Sequence, residues 1–129
     1  MAATLLTMRQ VEQALAAQGL TPYRMLDNLY WSVDTAFWDL ILEGYLDPAV
    51  YWTDFDDCDD RALEFKVDVH WQYRVDCGMV VNATHAWNVI VLPDLTLRFV
   101  DAGWSEGPAY VQPGLPGSLY DLAGAKVLI

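Results

Sequence analysis

The hydrophobic period of this chain changes once, near Arg74, and that change constrains the fold more than any other feature. Upstream, apolar residues recur at helical spacing. Leu5, Met8, Val11 and Leu15 fall three or four apart around residues 7–17, with Thr4 or Thr7 as cap and Gly19 as stop. Residues 34–43 predict a second helix, capped by Asp34, with Phe37, Trp38, Ile41 and Leu42 as its apolar face and Gly44 as its end. Residues 61–70 suit a buried helix through Ala62, Leu63, Phe65 and Val69. Downstream, residues 77–83, 85–92 and 95–101 are rich in Val, Ile and aromatics and read as three strands, with Pro93-Asp94 as a hairpin turn. Helices followed by strands predict an α+β fold, with N-terminal helices and then a small antiparallel sheet.

The 129 residues predict a single domain. Within it we expect an N-terminal helix in residues 1–20, a core in residues 28–104 and a Pro/Gly-rich tail in residues 105–129. The tail reads as irregular, and Lys126-Val127-Leu128-Ile129 as an edge strand or an insertion into a neighbouring subunit. Six Trp and seven Tyr fill a small core or form a binding face; core packing is the default.

Seven Lys and Arg against eighteen Asp and Glu give a net charge of −11. That field repels a phosphate backbone, so nucleic acid is not expected as a partner. No uncharged apolar run is long enough to span a membrane, and no charged segment leads into an apolar one at the start. We therefore expect no membrane partner, no signal peptide and a cytoplasmic location. Two cysteines, Cys58 and Cys77, are too few for a disulfide scaffold or a thiolate zinc site. A disulfide between them would remove the thiol at Cys58.

Three residues together suggest chemistry. Cys58 stands at a helix start, where the dipole favours a thiolate. A thiolate nucleophile needs a base within hydrogen-bond reach. His70 lies about 18 Å along the same helix at 1.5 Å per residue, which leaves His85. The base needs an acceptor on its other ring nitrogen. His85 and Asp101 lie eight residues on either side of Pro93, so a hairpin there makes them cross-strand neighbours. Asp54, Asp56, Asp57, Asp59 and Asp60 crowd around Cys58 and read as a solvated loop or as a site for a hard cation.

The segments His85-Ala86-Trp87-Asn88-Val89 and Phe99-Val100-Asp101-Ala102-Gly103-Trp104 resemble the His and Asp strands of papain- and transglutaminase-like cysteine enzymes. Asp57-Cys58-Asp59-Asp60-Arg61-Ala62-Leu63 resembles the nucleophile segment of the peptidase-like C-terminal domain of the Marasmius oreades agglutinin family, as do Tyr30-Trp31 and Trp38-Asp39-Leu40-Ile41-Leu42. The likeness covers residues 28–104. It implies a papain/transglutaminase-like core and a catalytic triad of Cys58, His85 and Asp101. It also implies calcium dependence, with Asp57, Asp59 and Asp60 as the metal ligands. The chain departs from that family in having Asp101 where the agglutinins have Glu, a short stretch between Cys58 and His85, and no lectin domain. The expected function is a cysteine peptidase, or an amide-cleaving or transferring enzyme, with a peptide or amide substrate. The alternative is a non-catalytic papain-like module. It would be a structural or binding component of a virion, if the source is a phage, or of another assembly, contacting a protein partner through the tail.

Overall fold

Thr7 sets where the first helix begins. Its Oγ1 accepts the N–H of Gln10 at 3.2 Å, and Gln10 Oε1 accepts the N–H of Thr7 at 2.9 Å, so each residue's side chain satisfies the other's otherwise orphaned backbone N–H. The computed structural model describes residues 3–24, 28–45, 58–102, 108–114 and 118–129. In it, strand β1 (Thr4–Thr7) runs directly into helix α1 (Met8–Ala16), which buries Met8, Val11, Ala14 and Leu15. Gly19 ends the helix at a φ of +74°, letting the N–H of Leu20 return to the carbonyl of Leu15. Strands β2 (Pro22–Arg24) and β3 (Leu29–Ser32) follow. Helix α2 (Thr35–Gly44) opens on Asp34, whose Oδ1 accepts the N–H of Phe37 at 3.0 Å.

Helix α3 (Cys58–Tyr73) is longer than residues 61–70 in both directions. It stops at Arg74, which takes the left-handed conformation at φ 57° and returns its N–H to the carbonyl of His70. The three expected strands are β4 (Gly78–Val81), β5 (Ala86–Val91) and β6 (Leu97–Asp101), followed by β7 (Ala109–Val111) and β8 (Lys126–Leu128). The class is α+β, as the change of period predicts.

Among the described residues two sheets form: β1 with β3, and a six-stranded sheet in the order β2-β8-β4-β5-β6-β7. Its pairings are antiparallel except β2 with β8, which is parallel. The tail therefore differs from the edge strand expected for residues 126–129. Strand β8 is interior, held between β2 and β4. Gly78 makes room for it. A Cβ there would come within 2.6 Å of Ile129 Cδ1, 2.8 Å of Val89 Cγ1 and 3.1 Å of the Leu128 carbonyl.

All six residues of β5 are buried, so both faces of the sheet are covered. Strand parity sorts the core into two layers. Trp87, Val89 and Val91 join Val80, Phe99 and Val127 beneath Val11, Ala14 and Leu15 of α1. Ile90 joins Cys77, Val100 and Ala102 against Trp38 and Ile41 of α2 and Phe65 and Val69 of α3. Phe65 is flanked by Trp38, with ring centroids 6.4 Å apart, and by Tyr45 at 5.1 Å. Among the described residues no helix is long and apolar enough to cross a membrane.

The crowding at Gly78 predicts that Gly78→Ala destabilises the fold by about 1–3 kcal/mol through overpacking. Urea denaturation would show a lower midpoint with an unchanged slope.

Candidate active site

The turn between β4 and β5 is built by one side chain. Asn82 Oδ1 accepts the N–H of Thr84 at 2.9 Å and of His85 at 2.8 Å, while the N–H of Asn82 reaches the His85 carbonyl at 3.0 Å. The same asparagine faces the tail with its other end. Its Nδ2 donates to the carbonyls of Leu119 and Asp121 at 3.0 and 3.1 Å. The residue between those two carbonyls is Tyr120. One amide therefore sets both the backbone of His85 and the tail segment that faces it.

His85 and Asp101 meet. His85 Nε2 lies 2.7 Å from Asp101 Oδ2, and the side chains are 13% and 7% exposed. Tyr120 donates its hydroxyl to the same carboxylate oxygen at 2.8 Å. Its ring meets His85 edge-on at 5.6 Å and Trp87 at 5.5 Å, and the His85 ring stacks on Trp87 at 6.0 Å. With the ionised carboxylate on Nε2, the imidazole is held as the Nε2–H tautomer. Nδ1 is then the unprotonated ring nitrogen.

The two residues are not directly opposite, as a turn centred on Pro93 requires. Asn88 pairs with Val100 and Val91 with Leu97, so the hairpin is centred on Asp94. The three-residue loop explains the shift. The N–H of Leu95 returns to Leu92, Leu95 sits at φ 69°, and Asp94 Oδ1 accepts from the amide and hydroxyl of Thr96. His85 and Asp101 are thus diagonal neighbours. The displacement is an even number of residues, so they still share a face.

Cys58 is the first residue of α3 and is partly buried. Helix α3 packs on the sheet face opposite to the one that carries Trp87, Phe99 and the His85–Asp101 pair. Among the described residues no hydrogen bond joins Cys58 to His85. The helix runs in the direction of β5. Ala62 accepts from Asn88 Nδ2 at 2.9 Å, and one turn later Lys66 Nζ donates to the Cys77 carbonyl at 2.6 Å, beyond the Gly78–Val89 pair. Cys58 lies about 6 Å before Ala62 along the helix axis, towards the end of β5 at which His85 stands.

Both cysteines are free. Cys77 is fully buried, and burial, opposed by the Lys66 ammonium, pushes its thiol up to about 12. It is structural. Burial also holds the Tyr30 hydroxyl well above the ordinary phenol range.

Of the calcium ligands implied by the resemblance, Asp57 lies outside the described residues. Asp59 and Asp60 are exposed in the first turn of α3, where negative charge suits the helix start, and each has an interaction partner. Calcium takes six to eight oxygen ligands. Among the described residues no three His, Cys, Asp or Glu side chains cluster as a metal site, so these two aspartates do not make one by themselves.

Tyr120 and Asn82 carry no signal in the sequence as site residues. Both act through contacts between the tail and a distant turn. Comparison with known proteins returns no matching family model, no matching curated protein and no matching solved structure.

Two measurements follow from the cysteines. Native protein takes up iodoacetamide at Cys58, whereas Cys77 reacts only after unfolding; peptide mass spectrometry reads both. The raised thiol and phenol also make stability pH-dependent. The neutral groups are buried, so the folded state keeps protons that the unfolded chain releases. Stability is complete below the unfolded thiol's value of about 8.5 and falls as pH rises towards 12, with Tyr30 adding to the loss above about 10. Urea titrations between pH 8 and 10.5 would show this decline, reduced in Cys77→Ala.

Proposed function

We propose that the chain is a cysteine peptidase-like or amide-transferring enzyme in which Cys58 is the nucleophile, His85 the base and Asp101 the residue that orients it. The single observation that carries this reading is the largely buried His85–Asp101 pair, 2.7 Å apart, with Nδ1 of the imidazole left over for a thiol. Support comes from Cys58 at the head of a helix and from its position level with the His85 end of β5. Ala86, next to His85 in the chain and on the opposite face of the strand, is small and buried. In the reaction the thiolate would attack an amide carbonyl. His85, protonated at Nδ1, would give that proton to the leaving amine, and Asp101 would stabilise the imidazolium. The resulting thioester would pass to water or to an acceptor amine. A backbone amide of the first turn of α3 is the natural oxyanion donor.

A second reading, a non-catalytic module with the same core, is favoured by one observation: α3 lies across the sheet from the His85 ring, with no hydrogen bond between Cys58 and His85 among the described residues. In that reading the His85–Asp101–Tyr120 group is a structural clasp for the tail.

The rate of Cys58 alkylation separates the two. A thiolate paired with His85 would react with iodoacetamide at pH 6.5 at least tenfold faster than an ordinary thiol, whose ionised fraction there is about 1%. His85→Ala would remove that advantage while leaving the melting curve readable. A Cys58 that alkylates at the ordinary rate, unchanged by His85→Ala, would sink the catalytic reading and leave the module.

A further inference from the structure

A second histidine–aspartate pair lies at the other end of α3, and it borders a cavity of about 200 Å³. His70 Nδ1 is 2.9 Å from Asp76 Oδ1, and Asp76 Oδ2 accepts the N–H of Trp31 at 2.8 Å. Both oxygens of Asp76 are thereby engaged, and the imidazole is turned so that Nε2 is its remaining polar atom. Lys66, also on the cavity wall, gives one of its three N–H bonds to the Cys77 carbonyl at 2.6 Å. Among the described residues nothing takes up its other two, nor Nε2 of His70.

The rest of the wall is mostly apolar, with Met8, Tyr30 and Ile129 buried at its base and its outer part open. Leu29, Val67 and Trp71 line the cavity, yet they are 47%, 45% and 67% exposed. Leu63, 45% exposed, stands one turn before Val67. Leu63, Val67 and Trp71 are spaced by four, so they form one stripe on the outer face of α3. Lys66 and His70 have the same spacing and lie beside that stripe, and just past the helix end the Arg74 guanidinium is 5.7 Å from the centre of the Trp71 ring. In a chain of net charge −11, with only seven Lys and Arg, Lys66 brings one of them to this wall, and Arg74 stands beside Trp71.

The chemistry that fits is an apolar group with a carboxylate beside it. A void of this size admits a single side chain; an engineered cavity of about 150 Å³ holds benzene. Charged and apolar wall residues alternate within one helical turn, so the ligand must carry both groups within the dimensions of one residue. A peptide's C-terminal residue does so, with its side chain and its α-carboxylate on one carbon. The exposed apolar stripe continues for about 12 Å, from Leu63 to Trp71, which is more than a small free acid can cover. We propose that this groove binds the C-terminal end of a peptide, with an apolar last side chain in the cavity and the terminal carboxylate on Lys66. This binding is independent of any chemistry at Cys58.

Calorimetric titration of the full chain tests it, using pentapeptides Gly-Ser-Gly-Ser-Xaa in which Xaa is Leu, Ile, Phe or Trp. At least one free-acid peptide should bind, and its C-terminal amide should bind about tenfold or more weakly, the loss of a charge-assisted contact. Trp71→Ala and Val67→Glu change exposed positions, so folding should persist, and each should weaken the free-acid peptide about tenfold or more. Lys66→Gln keeps a donor for the Cys77 carbonyl and should abolish the preference for acid over amide. The proposal is overturned if no peptide binds more tightly than about 1 mM, or if acid and amide bind alike. It is equally overturned if phenylpropionate binds as tightly as the best peptide, making this a small-acid site, or if the Trp71 and Val67 variants bind normally.

Discussion

Strand β5 is buried along its whole length, and that constraint organises the molecule. A strand with no exposed face needs a layer on each side. Helix α1 supplies one, and α2 with α3 supplies the other. Neighbouring residues of β5 therefore belong to different cores: Trp87 and Val89 to one, Asn88 and Ile90 to the other. Asn88 is the polar exception, and its amide is spent on the carbonyls of Ala62 and Gly78, binding helix to sheet where a methyl group could not.

The candidate site grows from this arrangement at the start of β5. His85 emerges where the burial of the strand begins, and its partners are supplied from two directions. Asp101 comes from β6 by local hairpin geometry, and Tyr120 comes from the tail, clamped in place by Asn82. The shared oxygen of Asp101 faces both His85 Nε2 and the Tyr120 hydroxyl, which hold the carboxylate in place. That suits a catalytic acid that must orient an imidazole, and it suits equally a buried structural clasp. The chemistry of Cys58 separates them.

How much of this the sequence carries depends on the range of each contact. Capping and spacing are local, so α1 and α2 are legible from Thr7, Asp34 and their apolar faces. The His85–Asp101 meeting is legible because a hairpin makes two distant residues neighbours through a short turn. Its register is less so, because Leu95 adopts a left-handed conformation that nothing in its chemistry advertises. A strand at residues 126–129 is legible, but its interior position and the Tyr120 contact are not, since the Gly- and Pro-rich stretch that precedes them shows no period of its own. The side of the sheet on which α3 lies is not readable from composition either. It depends on which parity of β5 faces the helix, and both parities are apolar.

The interior position of β8 bears on how the chain becomes a folded molecule. Pro22 is paired with Val127, so the first and last strands of the large sheet meet across roughly a hundred residues. Closing a loop of that length costs about 4 kcal/mol of chain entropy. The hairpins of β4, β5 and β6 close over far shorter distances and can form first. Until β8 arrives, β4 presents an unpaired, apolar border, the kind of surface on which nascent chains stick to one another. Solubility during folding therefore depends on how fast a tail of little evident structure reaches its slot.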